Sequence, residues 1–556
     1  MKIMTRIFMV LWVAQFSTLL ISLHANAASH LPILDWLSKP QELLLPRSEH
    51  FTIDDSIEIT TEDGLNLKAN IFVPTQLDEK APAVIFINSW ALNEYQYIKQ
   101  AAYLAERGYI VLSYATRGFG GSEGVVDTAG PNDIADYSKA IDFLIDNYPV
   151  DVNAIGTGGI SYGSGISLIG AAQDSRVKAV AALSSWGSLV DSLYGNQSPR
   201  LAWGEILTLS GQLTGNLDVN VPRYWEAIKS HDESTLPEVI DWALVRSPSE
   251  YIDKLNANGT AIYLAKSYGD NLFQPNSLMT LFEQLTTPKY IDLLPGTHGT
   301  AEVLPDLLGI GENLVWENVY HWFDLHLKQQ PNKLPSDKPI NMKVKFSDST
   351  DQFTSLSDTK IATQRYFLHP RTWFDNGDLE ITPYGVSQSK DNTLNAWAGT
   401  LFTTSIPVLS QLLEQLEVPV YSHIYAASNI RGIYYQSPKA VTKMKIRGNP
   451  SVSLYVQPHA EQAQIVAYLY DMNALGTAKL ITHGVYTLPK AEAGEVIKLD
   501  IEMATTAYDV PQGHRVVLAL DTQDPQYKKP NSRAYYIDIE YGNGRESELT
   551  IPFTRQ

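Results

Sequence analysis

Between Ile57 and Leu327, apolar runs of strand length alternate with amphipathic helical stretches, and beyond Pro331 that rhythm gives way to two-residue alternation. This change of period constrains the fold more than any other feature of the chain. Ile57 and Ile59 alternate with polar residues up to the turn at Glu62-Asp63-Gly64, and Leu65, Leu67, Ala69, Ile71 and Val73 resume the alternation. That is a β-hairpin with one buried face. Residues 83–87 form a continuous apolar run, as in a strand covered on both faces. A helix is expected from about Glu94 to Gly108, and a strand over 109–114. After Pro131, the residues Ile134, Tyr137, Ile141, Leu144, Ile145 and Tyr148 share one helical face. Further strands are expected at 177–183, 260–266 and 290–294, and a helix through Trp322, Phe323, Leu325 and Leu327 closes this half. Strands alternating with helices imply a largely parallel sheet covered on both faces.

Between Trp186 and Asn258 the strand rhythm disappears, and the stretch is helical, aromatic and acidic, with Trp203, Glu205, Trp225, Glu226 and Trp242. An insertion there would sit above the sheet as a cap. After Pro331, Met444 and Ile446 alternate with Lys443, Lys445 and Arg447. Ile497, Leu499, Ile501 and Met503 alternate with Lys498, Asp500 and Glu502, and Val516, Leu518 and Leu520 repeat the pattern. Half-buried antiparallel strands at short spacing predict a β-sandwich. The less regular stretch 371–439 reads as long connections packed against the first domain. The expected organisation is a leader over 1–27, an α/β domain over 28–330 with its cap at about 186–258, and the all-β domain over 331–556.

Lys2 and Arg6 precede a mostly apolar stretch from Ile7 to Leu23, and Ala25-Asn26-Ala27 supplies small residues for cleavage. That order is the one a secretory signal peptide requires. No later run is long and apolar enough for a membrane anchor. With 0 cysteines there is neither a disulfide nor a thiol nucleophile, so burial alone must stabilise an exported domain. A bacterial periplasmic or secreted protein is expected. Removing Lys2 and Arg6 from 42 basic residues leaves 40 against 61 acidic ones, a charge of −21 that disfavours nucleic acid and anionic membranes.

Two segments match G-x-S-x-G: Gly120-Gly121-Ser122-Glu123-Gly124 and Gly159-Ile160-Ser161-Tyr162-Gly163. A nucleophile elbow needs a strand entering the serine and a helix leaving it. Ser161 has the strand-like 154–156 before it and a helical 164–173 after it, whereas Ser122 lies in a Gly-rich loop. A serine hydroxyl also needs a base and a group to orient that base. His298 and Asp270 each follow the end of an expected parallel strand, where such sheets carry their functional loops. The order Ser, Asp, His is that of α/β-hydrolases. His321 and His326 fall in the closing helix, and His369, His423, His459, His483 and His514 in the β half. The oxyanion donors are expected at the backbone N–H of Tyr162 and in the loop Asn88-Ser89-Trp90. No H-E-x-x-H occurs, and no metal or organic cofactor is expected.

These residues resemble the Xaa-Pro dipeptidyl-peptidase and cocaine-esterase family of α/β-hydrolases. The resemblance rests on Gly159-Ile160-Ser161-Tyr162-Gly163, Arg117-Gly118, Ser122-Glu123-Gly124, Gly269-Asp270 followed by Phe273, and His298 after Pro295-Gly296. Trp322-Phe323-Asp324 with Leu327-Lys328, and Gly513-His514-Arg515 in the β half, add to it. It implies an α/β-hydrolase sheet with a helical cap, a jelly-roll-like sandwich, and acyl-enzyme hydrolysis of a small ester, amide or peptide by Ser161, Asp270 and His298. The family commonly offers a Tyr hydroxyl as second oxyanion donor, where Trp90 stands here, and Ala115 replaces a family Asp. Exopeptidases of this kind bind a free α-amino group with acidic side chains, for which Asp191, Glu205 and Glu226 in the cap are candidates. A reading of another class is an inert binding protein whose sandwich recognises glycans or peptides. A sandwich that shapes the active site or mediates oligomers fits either enzyme reading.

Overall fold

The computed structural model describes residues 45–554, apart from 78, 309–311, 332–333, 335–336, 360–361, 373–375, 388–389, 397–399, 405, 408, 417, 427–430 and 532. The expected leader at 1–27 lies outside the described residues.

Ten strands form the first sheet: β1 (Phe51–Thr60), β2 (Asn66–Pro74), β3 (Ala81–Ile87), β4 (Ile110–Tyr114), β5 (Val150–Ile160), β6 (Val177–Leu183), β7 (Ala261–Ser267), β8 (Lys289–Leu294), β9 (Ile340–Lys343) and β10 (Thr350–Phe353). Their order is β1-β2-β4-β3-β5-β6-β7-β8-β9-β10. β1 pairs antiparallel with β2 as the expected hairpin, and the run from β4 through β9 is parallel. β3 to β8 are buried almost throughout because helices cover both faces of the sheet. Those helices are α1 (Ile98–Ala105), α2 (Pro131–Asn147), α3 (Tyr162–Gln173), five cap helices, α9 (Pro275–Gln284), α10 (Thr300–Leu308) and α11 (Leu314–Lys328). The cap consists of α4 (Leu189–Tyr194), α5 (Leu201–Thr214), α6 (Asn220–Ser230), α7 (Leu236–Leu244) and α8 (Ile252–Asn258), all between β6 and β7. No described helix is long and apolar enough to cross a membrane.

Two expectations need correction. β9 and β10 extend the first sheet past the boundary expected at residue 330. The stretch 371–439 is not merely connective, because strands at Gly377–Glu380, Lys390–Asn395, Tyr421–His423 and Ile433–Gln436 pair into the second sheet. They are short and weakly alternating, so no periodicity marks them.

The second sheet is all-β and nearly all antiparallel, with alternating inward residues such as Val452, Leu454 and Val456 filling its core. The two halves interlock. Arg447, read as a solvent-facing residue of an alternating strand, is 1% exposed. Its guanidinium bonds Asp351 of β10 at 2.8 Å and Asp509 at 2.9 Å. The sandwich also grips the cap through Ser198 Oγ with Thr487 Oγ1 at 2.8 Å and Arg200 Nη1 to Tyr527 Oη at 2.9 Å.

Candidate active site

β3 lies between β4 and β5, where the strand order reverses, and such switch points leave a crevice beyond the carboxyl ends of the strands. β5 delivers Ser161 to that crevice and α3 leaves from it. The turn is sharp enough to force Ser161 to φ 57° and ψ −116°, a strained conformation for a residue with a Cβ. The flanking glycines make it possible. A Cβ at Gly163 would lie 2.1 Å from the Ile87 carbonyl oxygen, and one at Gly159 would lie 2.8 Å from the same atom.

Ser161 Oγ sits 2.7 Å from His298 Nε2, and His298 Nδ1 sits 2.8 Å from Asp270 Oδ2. The three side chains come from the loops after β5, β7 and β8, as the sequence order required. Asp270 is wholly buried, and its Oδ1 accepts from the backbone N–H groups of Leu272 and Phe273 at 3.0 and 2.9 Å. Burial alone would raise this carboxyl, but the Lys266 ammonium and His298 outweigh burial and hold it at about 2. Trp203 of the cap and Phe273 pack their rings edge-on against His298, with centroids at 5.5 and 5.1 Å.

Lys266 belongs to no motif of the sequence, yet it reaches the site. Its side chain is 0% exposed and donates to Asp270 Oδ2 at 2.6 Å and to the Ser185 carbonyl at 2.8 Å. Burial pulls its ammonium down, and Asp270 opposes that pull only in part. Nearby Glu302 is also wholly buried and accepts from Ser184 Oγ at 2.7 Å, and burial pushes its carboxyl up. The only sequence signal for this pair was a cation ending an apolar strand four residues before Asp270.

The oxyanion expectation divides. Tyr162 opens α3, so its backbone N–H has no acceptor within the helix and carries the positive end of the helix dipole. The Trp90 indole is not the second donor, because its Nε1–H is bonded to the Leu207 carbonyl at 2.9 Å. The Trp90 backbone N–H has no acceptor among the described residues. Its loop is held by Ser89 N–H to Gln96 Oε1 at 2.7 Å and by Ser89 Oγ to the Ile160 carbonyl at 2.9 Å.

The cap acids do not converge on the site. Glu205 Oε1 accepts from Trp225 Nε1 at 3.1 Å and pairs with Lys229 at 2.7 Å. Glu226 pairs with the same Lys229, Asp191 is exposed, and none of the three lines the cavity above Ser161. That cavity is open to solvent, spans about 1020 Å³ with the open space at its mouth counted, and runs from Ser161, Tyr162 and Trp90 up to Trp225 and Val239 of the cap. Ser122, the other G-x-S-x-G serine, is a loop pin. Its Oγ donates to the Ala115 carbonyl at 2.8 Å and accepts from the Lys68 N–H at 2.9 Å. His459, His483 and His514 are tied within the sandwich to Asp538, Tyr527 and Asp471.

Residues 63–300 match the family described as X-Pro dipeptidyl-peptidase (S15 family), and residues 362–543 match the X-Pro dipeptidyl-peptidase C-terminal non-catalytic domain. Among solved structures, a CocE/NonD family hydrolase from Staphylococcus aureus is similar at 13% identity and TM-score 0.70, over 91% of this chain and 94% of that one. An α-amino acid ester hydrolase is similar at 13% identity and TM-score 0.70, over 93% and 99%. An aminopeptidase from a marine-sediment Thaumarchaeota archaeon follows at 13% and 0.67, over 92% and 98%. These likenesses carry the fold. A polyketide transferase from Penicillium crustosum is 24% identical over 282 residues, 44% of this chain and 89% of its own length.

Proposed function

The chain belongs to the X-Pro dipeptidyl-peptidase family, and from that premise we propose that Ser161, His298 and Asp270 are its catalytic triad. As a member it is a serine hydrolase of the esterase and peptidase type rather than an inert binder. The observation that carries the assignment is the unbroken hydrogen-bond chain from Ser161 Oγ through both ring nitrogens of His298 to Asp270, at 2.7 and 2.8 Å.

The chemistry follows from that geometry. His298 Nε2 takes the Ser161 proton as Oγ attacks the substrate carbonyl carbon, forming the Oγ–C bond. The negative oxygen of the tetrahedral intermediate is held by the backbone N–H groups of Tyr162 and Trp90, each contributing about 3 to 4 kcal/mol. Collapse breaks the bond to the alcohol or amine, which leaves with the proton from His298. Water then repeats the sequence on the acyl-enzyme and releases the acid. Asp270, kept ionised by Lys266, fixes the imidazole tautomer and stabilises the imidazolium. Within the loop Asn88-Ser89-Trp90, it is the Trp90 main chain rather than its indole that is available.

Cleavage of ester or amide bonds is the reading adopted, and Xaa-Pro dipeptide release is the variant that the family description itself suggests. A rate comparison of p-nitrophenyl esters and Xaa-Pro-p-nitroanilides tests both, with Ser161→Ala and His298→Ala as controls. Each variant should lose about 10³-fold or more in kcat. Wild-type rates in Ser161→Ala would refute the assignment.

Export to the periplasm or medium is inferred from the residue order of 1–27. The intact mass of protein recovered outside the cytoplasm should correspond to a chain beginning at Ala28. A mass retaining Met1 would contradict export by cleavage.

A further inference from the structure

The cavity beside Ser161 is lined without a single charged side chain among the described residues. Its aromatic lining does carry polar atoms, but most of these bond away from the space. Tyr194 Oη meets His231 Nδ1 at 2.7 Å, Tyr224 donates to Glu238 at 2.6 Å, and Trp186 Nε1 donates to the Arg246 carbonyl at 2.8 Å. Trp225 and Trp90 are likewise bonded outward, to Glu205 and to the Leu207 carbonyl. Apart from the hydroxyls of Ser161, Thr128 and Thr208, the lining is ring face and aliphatic carbon.

The cavity also has a direction. Ser161 and Tyr162 line it and His298 does not. The leaving group must reach His298 Nε2, 2.7 Å from Ser161 Oγ, to be protonated, which places it on the His298 side of Ser161 and leaves the cavity to the acyl portion.

From these facts, and resting on the Ser161 reading above, we propose that the cavity is an acyl pocket for a long, uncharged, apolar acyl group. The enzyme's substrates are then esters, or small amides, of hydrophobic carboxylic acids. Acyl groups bearing a free α-ammonium are excluded, because that cation would lose its hydration with no carboxylate to replace it. The cap carboxylates that could have served are committed: Glu205 and Glu226 share Lys229, and Asp191 lies outside the lining.

The test uses the full mature chain at about pH 6, where an amino ester carries its proton. Rates are compared for p-nitrophenyl acetate, butyrate and octanoate, and for a pair differing only by an α-ammonium, the 3-phenylpropanoate and phenylalanine esters. Each buried methylene contributes to transition-state binding, so kcat/KM should rise about 100-fold or more from acetate to octanoate. The 3-phenylpropanoate should exceed its ammonium partner by about 100-fold. Equal or better turnover of the phenylalanine ester, or acetate as the best substrate, would overturn the proposal while leaving the Ser161 reading intact. Absence of any Ser161-dependent turnover would overturn that reading and this one with it. Thr208 lines the pocket from α5. Thr208→Asp should therefore improve the phenylalanine ester by about tenfold and impair the octanoate. An unchanged ratio in that variant would show that acyl groups do not bind there.

Discussion

Asp270 is asked to stay ionised in a site that burial makes hostile to charge, and Lys266 is what offsets burial. The lysine Nζ reaches the same Asp270 oxygen that accepts from His298, at 2.6 Å, with Glu302 as a further charge in the cluster. Lys266→Met removes the cation that holds the Asp270 carboxyl low and leaves Asp270 with fewer donors, so that the carboxylate orienting His298 is protonated at higher pH. The acidic limb of the kcat/KM profile should then move to higher pH, and stability should fall by about 3 kcal/mol as a buried pair is broken. An unmoved profile with a lowered Tm would make Lys266 a packing residue only. Ser161, Asp270 and His298 were legible because each lies just past a stretch that reads as strand. Lys266 was not, because its part depends on the fold bringing its ammonium back to Asp270, and spacing alone cannot say that. Glu205 failed for the same reason, since its partner Lys229 belongs to another helix, whereas Glu226 meets Lys229 three residues on in its own helix, a pairing that spacing does show.

The starts of α2 and α3 are joined behind the site by Asp133, whose Oδ2 accepts from Tyr162 Oη at 2.5 Å and from the Ala129 N–H at 2.8 Å. Burial, more than the neighbouring Asp127 and Asp136, pushes this carboxyl up to about 7. An acid whose folded value lies above its unfolded value of about 3.9 holds more protons when folded, so stability falls as pH rises from about 4 to 7. Asp133→Asn should flatten that decline in Tm across the same window. A decline as steep as in the wild type would assign it to another group. Elements with a clear period were read to within a residue or two: β6 at Val177–Leu183 and α2 from Pro131 are where the pattern put them. β5 was harder. Only 154–156 read as strand, whereas it spans Val150–Ile160. Its glycines argue against a strand on propensity, yet a Cβ at Gly156 would lie 2.9 Å from Phe323 and from Leu327 of α11. Close packing, invisible in the local pattern, imposed them.

The whole molecule is two cores locked by buried polar contacts rather than two beads on a linker. Arg447 joins β10 to the sandwich, and the 196–202 segment of the cap rests on the sandwich through Ser198 and Arg200. The sandwich thereby fixes the base of the cap that walls the acyl cavity. Arg447→Met leaves Asp351 and Asp509 without their shared cation, and thermal unfolding should show a loss of about 3 kcal/mol. A Tm equal to that of the wild type would mean that the interlock adds nothing to stability. The change of period near Pro331 revealed two architectures, but not that strands from 340–353 return to the first sheet. That is a matter of long-range pairing, on which periodicity is silent. The central claim, an acyl-enzyme on Ser161, is tested most directly by reacting the mature protein with a fluorophosphonate and mapping the modified peptide. One equivalent on the peptide containing Ser161, with none on that containing Ser122 and none on Ser161→Ala, is the predicted result. Label on another residue, or no label on an active preparation, would contradict it.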